Sequence, residues 1–345
     1  MPGPGRYAKT VPKLRTLKAS LLTHEQLREL SLSPSLDDAS ALLRDTPYSE
    51  VSSATMPSTI QTIALKAYFG RAQRILKVLP EGDQQLVLAF LREDEIKDLL
   101  AIMRSIYTGT HLPLLPTASI EGTLTGRIRK DPEALVSMQR LLEALDRSWF
   151  KSYARQINRI AQEMKTAEVF TWYSAPASLQ EYTNAIAALP RRKRREAEAL
   201  LCPVLEYKIA STMVNGKALR IPLRIMDRIM RDLNVCGATW DDLRQVYERE
   251  PGPQEVLSSL RELLPRLRLE AKQGFEVELE AARRRAWREA YRRANAAYSG
   301  YPFTPTLVLA AMILAKAEYM DVTTILTGVL LKMKPDEIQE LTIIV

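Results

Sequence analysis

Apolar residues recur along this chain at three- and four-residue intervals, so that almost every periodic stretch reads as an amphipathic helix. Leu14, Leu17, Leu21 and Leu22 form the first stripe, with Lys13, Arg15 and Lys18 elsewhere on the wheel. Thr23 followed by Gln26 has the spacing of a capping box ahead of a short helix through Leu30. Ser35 and Asp38 open another, ending near Arg44. Ser58 with Gln61 begins a long helix to about Val78, and a second long pattern runs from about Gln84 to Thr108. Gly109 stands where a left-handed C-terminal cap is expected. The glycine- and proline-bearing stretch Thr108–Arg127 is a linker. Asp131-Pro132 then supplies a cap and a first-turn proline for a helix through Leu135, Leu141, Leu142 and Leu145. Trp149, Tyr153, Ile157 and Ile160 extend its apolar face toward Met164.

Ser178 and Glu181 form a second capping-box spacing, for a short helix to Leu189. Pro190 starts a long helix ending near Gly216, which Pro203 is expected to kink. After a second linker, Gly216–Pro222, come short helices near Leu223–Leu233 and Trp240–Glu248. Helical patterns then occupy about Pro253–Ala297 with a break at Pro265, Pro305–Leu331 and Pro335–Leu341. No convincing alternating run exceeds four residues, so the expectation is an all-α chain.

The order of elements recurs at about 115-residue intervals, short helices leading into long ones and then a break. Glu95-Ile96-Lys97-Asp98 precedes Ile102-Met103, and Glu318-Tyr319-Met320-Asp321 precedes Ile325-Leu326 at the same spacing. Glu206, Tyr207 and Ile209 ahead of Met213 are a poorer middle match. The division this suggests is three related helical units, 1–115, 116–222 and 223–345.

Composition is that of a globular chain: 46% apolar and 26% charged over 345 residues, with 13 glycines, too few for a turn-rich sandwich or barrel. Two cysteines, Cys202 and Cys236, cannot build a disulfide framework, and without a CxxC partner they read as small buried hydrophobes. His24 and His111 are isolated, and no metal site is expected. Around Gly216-Lys217, Ser211 and Ala218 stand where a phosphate-binding loop needs glycine and a hydroxyl. Glu93, Asp94 and Glu95 read as a solvated face rather than an acid–base pair. Nothing points to an enzyme or to a cofactor. The opening residues lack the apolar core of a secretory signal, and the uncharged run Ser299–Ala315, broken by Pro302 and Pro305, reads as a buried helix rather than a membrane span.

Net charge is +8, which bears on partners rather than on fold. Arg191, Arg192, Lys193, Arg194 and Arg195 open a helix, where positive charge opposes the macrodipole by about 0.3–1 kcal/mol per residue. A cost without an internal gain suggests a partner. Arg283, Arg284, Arg285, Arg288, Arg292 and Arg293 form a second tract, part of it spaced for i,i+4 pairing with Glu280 and Glu289. Both tracts are candidate partner contacts. A freestanding basic helical protein that binds nucleic acid is the alternative, although no known nucleic-acid motif accompanies the charge.

Four blocks in order give a resemblance. They are Lys13-x-Arg15-x-Leu17-Lys18 with Leu21-Leu22; Arg92 followed by Asp98-Leu99-x-Ala101-Ile102-Met103-Arg104 and Gly109; Leu145-Asp146-Arg147-x-Trp149-Phe150; and Glu318-x-x-Asp321 with Ile325, Gly328 and Asp336-Glu337-Ile338. Over nearly the whole chain the sequence resembles the C-type stalk subunits of archaeal and bacterial A/V-type ATPases (ATP synthases), relatives of the d-type subunits of eukaryotic V-ATPases. Asp98 and Asp321 stand where the family often has Asn, and Thr323 replaces an expected arginine. The resemblance implies three similar helical domains arranged with pseudo-threefold symmetry as a funnel. It implies a non-catalytic central-stalk component at the cytoplasmic face of the membrane, without a span of its own. Its partners would be the D and F subunits of the central shaft and the rotor ring of proteolipid subunits, with torque passing between them for proton or sodium transport. It also assigns Arg15, Lys18, Asp98, Arg104, Asp146, Arg147, Glu318 and Asp321 structural rather than contact roles.

Overall fold

A computed structural model describes residues 9–269, 274–298 and 305–345, so the start of the uncharged run, with Pro302, lies outside the described residues. The described chain is helical apart from one two-stranded antiparallel hairpin, β1 (Asn234–Val235) and β2 (Ala238–Thr239). None of its helices is long and apolar enough to cross a membrane. The chain packs as two compact units, with boundaries falling after Leu88, Ala188, Leu200 and Ala286.

The first unit takes in the chain up to Leu88 with Leu189–Leu200 and Trp287–Val345. Its centre is α16 (Pro305–Leu330), apolar on all sides and buried at nearly every position, as a helix without a polar stripe must be. Around it pack α1 (Thr10–Ala19), α2 (His24–Ser31), α3 (Leu36–Leu42), α4 (Pro57–Leu76) and α17 (Pro335–Leu341). The first and last described helices, α1 and α17, therefore share one core. Thr23 and Gln26 make the expected capping box, and Ser35 caps α3 by accepting from the Asp38 N–H. α4 starts at Pro57, with proline in the first turn and Met56 as a cap without a side-chain bond, not on the Ser58–Gln61 pair.

The second unit spans Ala89–Ala188 and Leu201–Ala286. It contains most of α5 (Glu81–Thr108), then α6 (Leu124–Arg129), α7 (Met138–Leu145), α8 (Lys151–Met164), α9 (Glu168–Trp172) and α10 (Ser174–Ala187). Most of α11 (Arg191–Ala218), α12 (Leu223–Met230), the hairpin, α13 (Trp240–Arg249), α14 (Pro253–Leu263) and the first half of α15 (Phe275–Ala297) follow. Gly109 has φ +67°, the left-handed cap expected after α5. The helix expected from Asp131 through Met164 is in fact three pieces. Asp131 caps a single 3-10 turn through the Ala134 N–H, Ser137 restarts α7, and a break after Leu145 precedes α8. Ser178 is no cap either: α10 begins four residues earlier, and the Ser178 hydroxyl donates to the Ser174 carbonyl. α11 runs unbroken through Pro203.

The cysteines correct the sequence reading most plainly. Cys202 on α11 and Cys236 in the hairpin turn are joined by a disulfide that closes a 34-residue separation. Burial did mark Cys202, which is 3% exposed. Its partner is brought up by the hairpin, a tertiary event that cysteine spacing does not encode.

Carboxylate anchors and a candidate partner interface

Three helices of 26 to 28 residues each carry a buried glutamate near mid-length: Glu95 on α5, Glu206 on α11 and Glu318 on α16. Each accepts a backbone N–H from a segment distant in sequence. The Leu124 and Thr125 N–H groups, at the start of α6, donate to Glu95 Oε2 at 2.6 and 3.4 Å. The Arg266 N–H donates to Glu206 Oε2 at 2.9 Å, and its guanidinium to Oε1 at 2.6 Å. The Leu22 N–H, just ahead of α2, donates to Glu318 Oε1 at 2.9 Å. A hydrogen bond to an ionised group contributes about 1.5–3 kcal/mol, and leaving such a carboxylate buried without donors costs more. The long helices are thus pinned at fixed points to the segments that turn past them.

Glu318 also forms an ion pair with Arg71 of α4, both side chains 1% exposed. The guanidinium reaches Tyr48 Oη and the Ser20 carbonyl, each at 3.0 Å. Burial works against its charge, but Tyr48 and Glu318 outweigh that and hold Arg71 above its ordinary value. One turn on from two of these glutamates sits an aspartate with a similar task. Asp98 accepts from the Thr117 N–H (2.8 Å) and hydroxyl (2.6 Å). Asp321 accepts from the Ile343 and Ile344 N–H groups at 2.7 and 2.6 Å, fastening the last described residues to α16. Burial pushes Asp98 up to about 6 and Asp321 up to about 7, against the pull of the N–H donors. On α11 the matching position is the fully buried Ile209, so the middle helix keeps the glutamate and drops the aspartate.

Glu93, Asp94 and Glu95, read from the sequence as a solvated face, are all buried at 6–7% exposure. Lys208 Nζ (2.8 Å) and Tyr182 Oη (2.7 Å) donate to Glu93. Lys97 lies 3.4 Å from Asp94. Arg92 pairs at 2.9 Å with Glu181, which also accepts from Tyr153 Oη at 2.7 Å. Periodicity placed these charges outside because donors that permit burial come from elsewhere in the chain: Tyr182 of α10 and Lys208 of α11 to Glu93, and the start of α6 to Glu95. Among the described residues no group of histidine, cysteine and carboxylate side chains could hold a metal ion.

The two arginine tracts part company. On α15 every arginine in question is engaged within its own unit. Arg283 grips Glu280 through two nitrogens (2.6–3.1 Å), Arg284 stands 3.6 Å from Glu280, and Arg285 pairs with Glu278. Arg292 and Arg293 share Glu289 at 2.8 and 2.6 Å, and Arg293 also donates to the Ala199 carbonyl. Arg288 closes on the Thr342 carbonyl at 2.7 Å. At the start of α11, Arg191, Arg192 and Arg195 are exposed, and no acidic residue occupies the first turn. Arg192 makes only a loose pair with Glu196, 3.8 Å away, with 85% of its side chain in solvent. Lys193 and Arg194 are half-buried.

The remaining motif residues divide similarly. Asp146 ties Arg155 and Lys151 at the α7–α8 break. Arg104 lies 3.9 Å from Glu168 with both ends half in water. Lys18 Nζ sits 4.6 Å over the Tyr298 ring. Arg15 and Arg147 are exposed and pair with no described residue. Arg71, Glu206 and Arg266 were missed as anchoring residues. Only Glu206 left a trace in the sequence, its place in the imperfect middle repeat.

Residues 10–341 match the family model described as ATP synthase (C/AC39) subunit. No curated protein matches the chain.

Proposed function

Since this chain belongs to the ATP synthase (C/AC39) subunit family, a non-catalytic component of rotary V/A-type ATPases, we propose that it is the socket of the central stalk, seating the D/F shaft on the membrane rotor ring. In this reading three related units, 1–115, 116–222 and 223–345, close into a pseudo-threefold funnel. The shaft end enters the cavity, the wide side rests on the proteolipid ring at the cytoplasmic face, and torque passes through the walls during ATP-linked proton or sodium transport.

The observation that carries this reading is the succession of glutamate anchors. Glu95 of the first stretch takes its N–H from Leu124 in the second, Glu206 of the second from Arg266 in the third, and Glu318 of the third from Leu22 in the first. The same bond made once in each stretch is what three related repeats are expected to share. Densely packed helices pinned by buried charge also deform little under load, because packed interiors have low compressibility.

The outward contacts we assign to the start of α11, where Arg191 and Arg195 are exposed and Arg192 makes only the loose pair with Glu196. The α15 arginines are consumed at home, which weakens equally their part in a shaft contact and the nucleic-acid reading that drew on both tracts. The test is co-purification of the folded chain with its own D and F subunits and with its ring. The expected result is a complex that Arg191→Glu/Arg195→Glu weakens while leaving the fold intact. A folded chain that binds neither shaft nor ring would overturn the proposal.

A further inference from the structure

The positive excess of this chain is not spread evenly along its sequence. Residues 1–22 contain Arg6, Lys9, Lys13, Arg15 and Lys18 and no carboxylate, and residues 191–195 are five cations in a row. Ten of the 49 Lys and Arg thus fall in two short stretches holding none of the 41 Asp and Glu, and the rest of the chain is slightly acidic. Within the first stretch, α1 spends its apolar face on its own unit: Val11, Leu14 and Leu17 are buried, and the Thr10 hydroxyl donates to the Val78 carbonyl at 2.8 Å. The opposite face is left to solvent. Its middle is small, with Pro12, Thr16 and Ala19 all exposed. Lys9 and Lys13 border it on one side, Arg15 and Lys18 on the other, since successive residues turn by about 100°.

No described carboxylate pairs with Lys9, Lys13 or Arg15, and the first turn of α1 has no acidic residue. The contrast with α15 is instructive, because there Glu280 and Glu289 neutralise the neighbouring arginines within a turn. Like charges at i,i+4, such as Lys9 and Lys13, and cations in a first turn both work against the helix.

We propose that the outward face of α1 is a docking surface for an acidic α-helix of a partner protein. The small central residues let a second helix lie close, and carboxylates spaced at i,i+4 along its flanks meet the two rows of cations. A bilayer is the poorer fit. The apolar face that would enter lipid is already buried in the protein, and the cations splay to either side of the helix instead of pointing into one plane. The inference does not rest on the rotary assignment, since it requires only an acidic helix.

The experiment uses the full chain and three probes: a labelled helical peptide with glutamates at i,i+4, an unstructured peptide of the same charge, and phosphatidylcholine–phosphatidylglycerol vesicles. Fluorescence anisotropy at low salt reads the peptides, and co-sedimentation reads the vesicles. The helical peptide is expected to bind more tightly than the unstructured one. Two exposed ion pairs correspond to a combined weakening of about threefold to tenfold in Lys13→Ala/Arg15→Ala. Arg292→Ala, which removes a cation already paired with Glu289, leaves that binding unchanged, and Arg191→Ala/Arg195→Ala lowers it less than Lys13→Ala/Arg15→Ala does. The proposal is overturned if the helical peptide does not bind, if both peptides bind alike, or if Lys13→Ala/Arg15→Ala has no effect. It is overturned equally if only the α11 variant matters, or if vesicles are the one probe that responds to the α1 variant.

Discussion

Removing one member of the Arg71–Glu318 pair tests the anchoring scheme where it is most deeply buried. In Glu318→Gln the guanidinium keeps its charge at 1% exposure and loses its only carboxylate, leaving Tyr48 Oη, the Ser20 carbonyl and one amide oxygen as neutral acceptors. A neutral amide also replaces the carboxylate that receives the Leu22 N–H. Breaking a buried pair from one side costs about 3–5 kcal/mol, chiefly because the surviving charge is stranded. Amide hydrogen exchange is the suitable assay, since it reads the first unit without requiring both units to melt together. At the Leu22 amide, 3–5 kcal/mol corresponds to exchange faster by roughly two to three and a half orders of magnitude, provided it proceeds by transient opening. Arg71→Met alone strands the carboxylate and is expected to cost a similar amount. The double variant Arg71→Met/Glu318→Gln strands neither and should lose less than the sum of the two, a coupling only a direct contact produces. Single variants that each cost under about 1 kcal/mol, or strictly additive losses, would refute the reasoning.

The Cys202–Cys236 link closes a 34-residue separation, so chain-entropy arithmetic gives about 3–4 kcal/mol lost on reduction or in Cys202→Ser. A thermal melt with and without reductant, beside a thiol count on the denatured protein, checks this, and two free thiols or an unchanged melt would contradict it. Burial holds Asp321 up to about 7 in the folded unit, against an ordinary aspartate value of about 3.9 in the unfolded chain. The folded state therefore binds the extra proton, and this contribution to its stability is fully present below about 4 and is lost as pH rises to about 7. Exchange at Ile343 and Ile344, corrected for intrinsic rate, should show protection falling over that window, and Asp321→Asn should flatten it; protection that rises with pH would contradict the sign. A Cβ at Gly328 would lie 2.6 Å from Ile338 Cγ1 of α17, so Gly328→Ala should overpack the α16–α17 contact by about 1–3 kcal/mol and lower the melting temperature. An unchanged melt would mean that α17 can shift freely.

What the sequence made readable was whatever depends on neighbours in sequence. The Thr23–Gln26 box, the cap at Gly109 and the bounds of α17 are decided within a few residues, and they are found as expected. Ser178–Glu181 has an equally good local pattern and fails. There the backbone is already helical from Ser174, and Glu181 is drawn to Arg92 and Tyr153 instead. Glu93, Asp94 and Glu95 failed for the same reason on a larger scale, since the Lys208 and Leu124 groups that make their burial tolerable lie far along the chain. The Glu-x-x-Asp repeat was visible as a pattern, but its work was not. A backbone N–H donor leaves no mark in residue identity, and the side-chain partners Arg71, Arg266 and Thr117 stand too far along the chain to be matched by spacing. The sequence already spaced Glu280 and Glu289 for pairing within the second basic tract; the structure adds Glu278 and the Ala199 and Thr342 carbonyls as partners, whereas Arg191, Arg192 and Arg195 at the start of α11 stay exposed.

The proposed coupling role is tested most directly by comparing the ATPase complex assembled with and without this chain. With the chain present, ATP hydrolysis should drive ion movement through the ring. Without it, hydrolysis by the catalytic head should continue while ion pumping falls to background. Pumping that persists in full when the chain is missing would contradict the account.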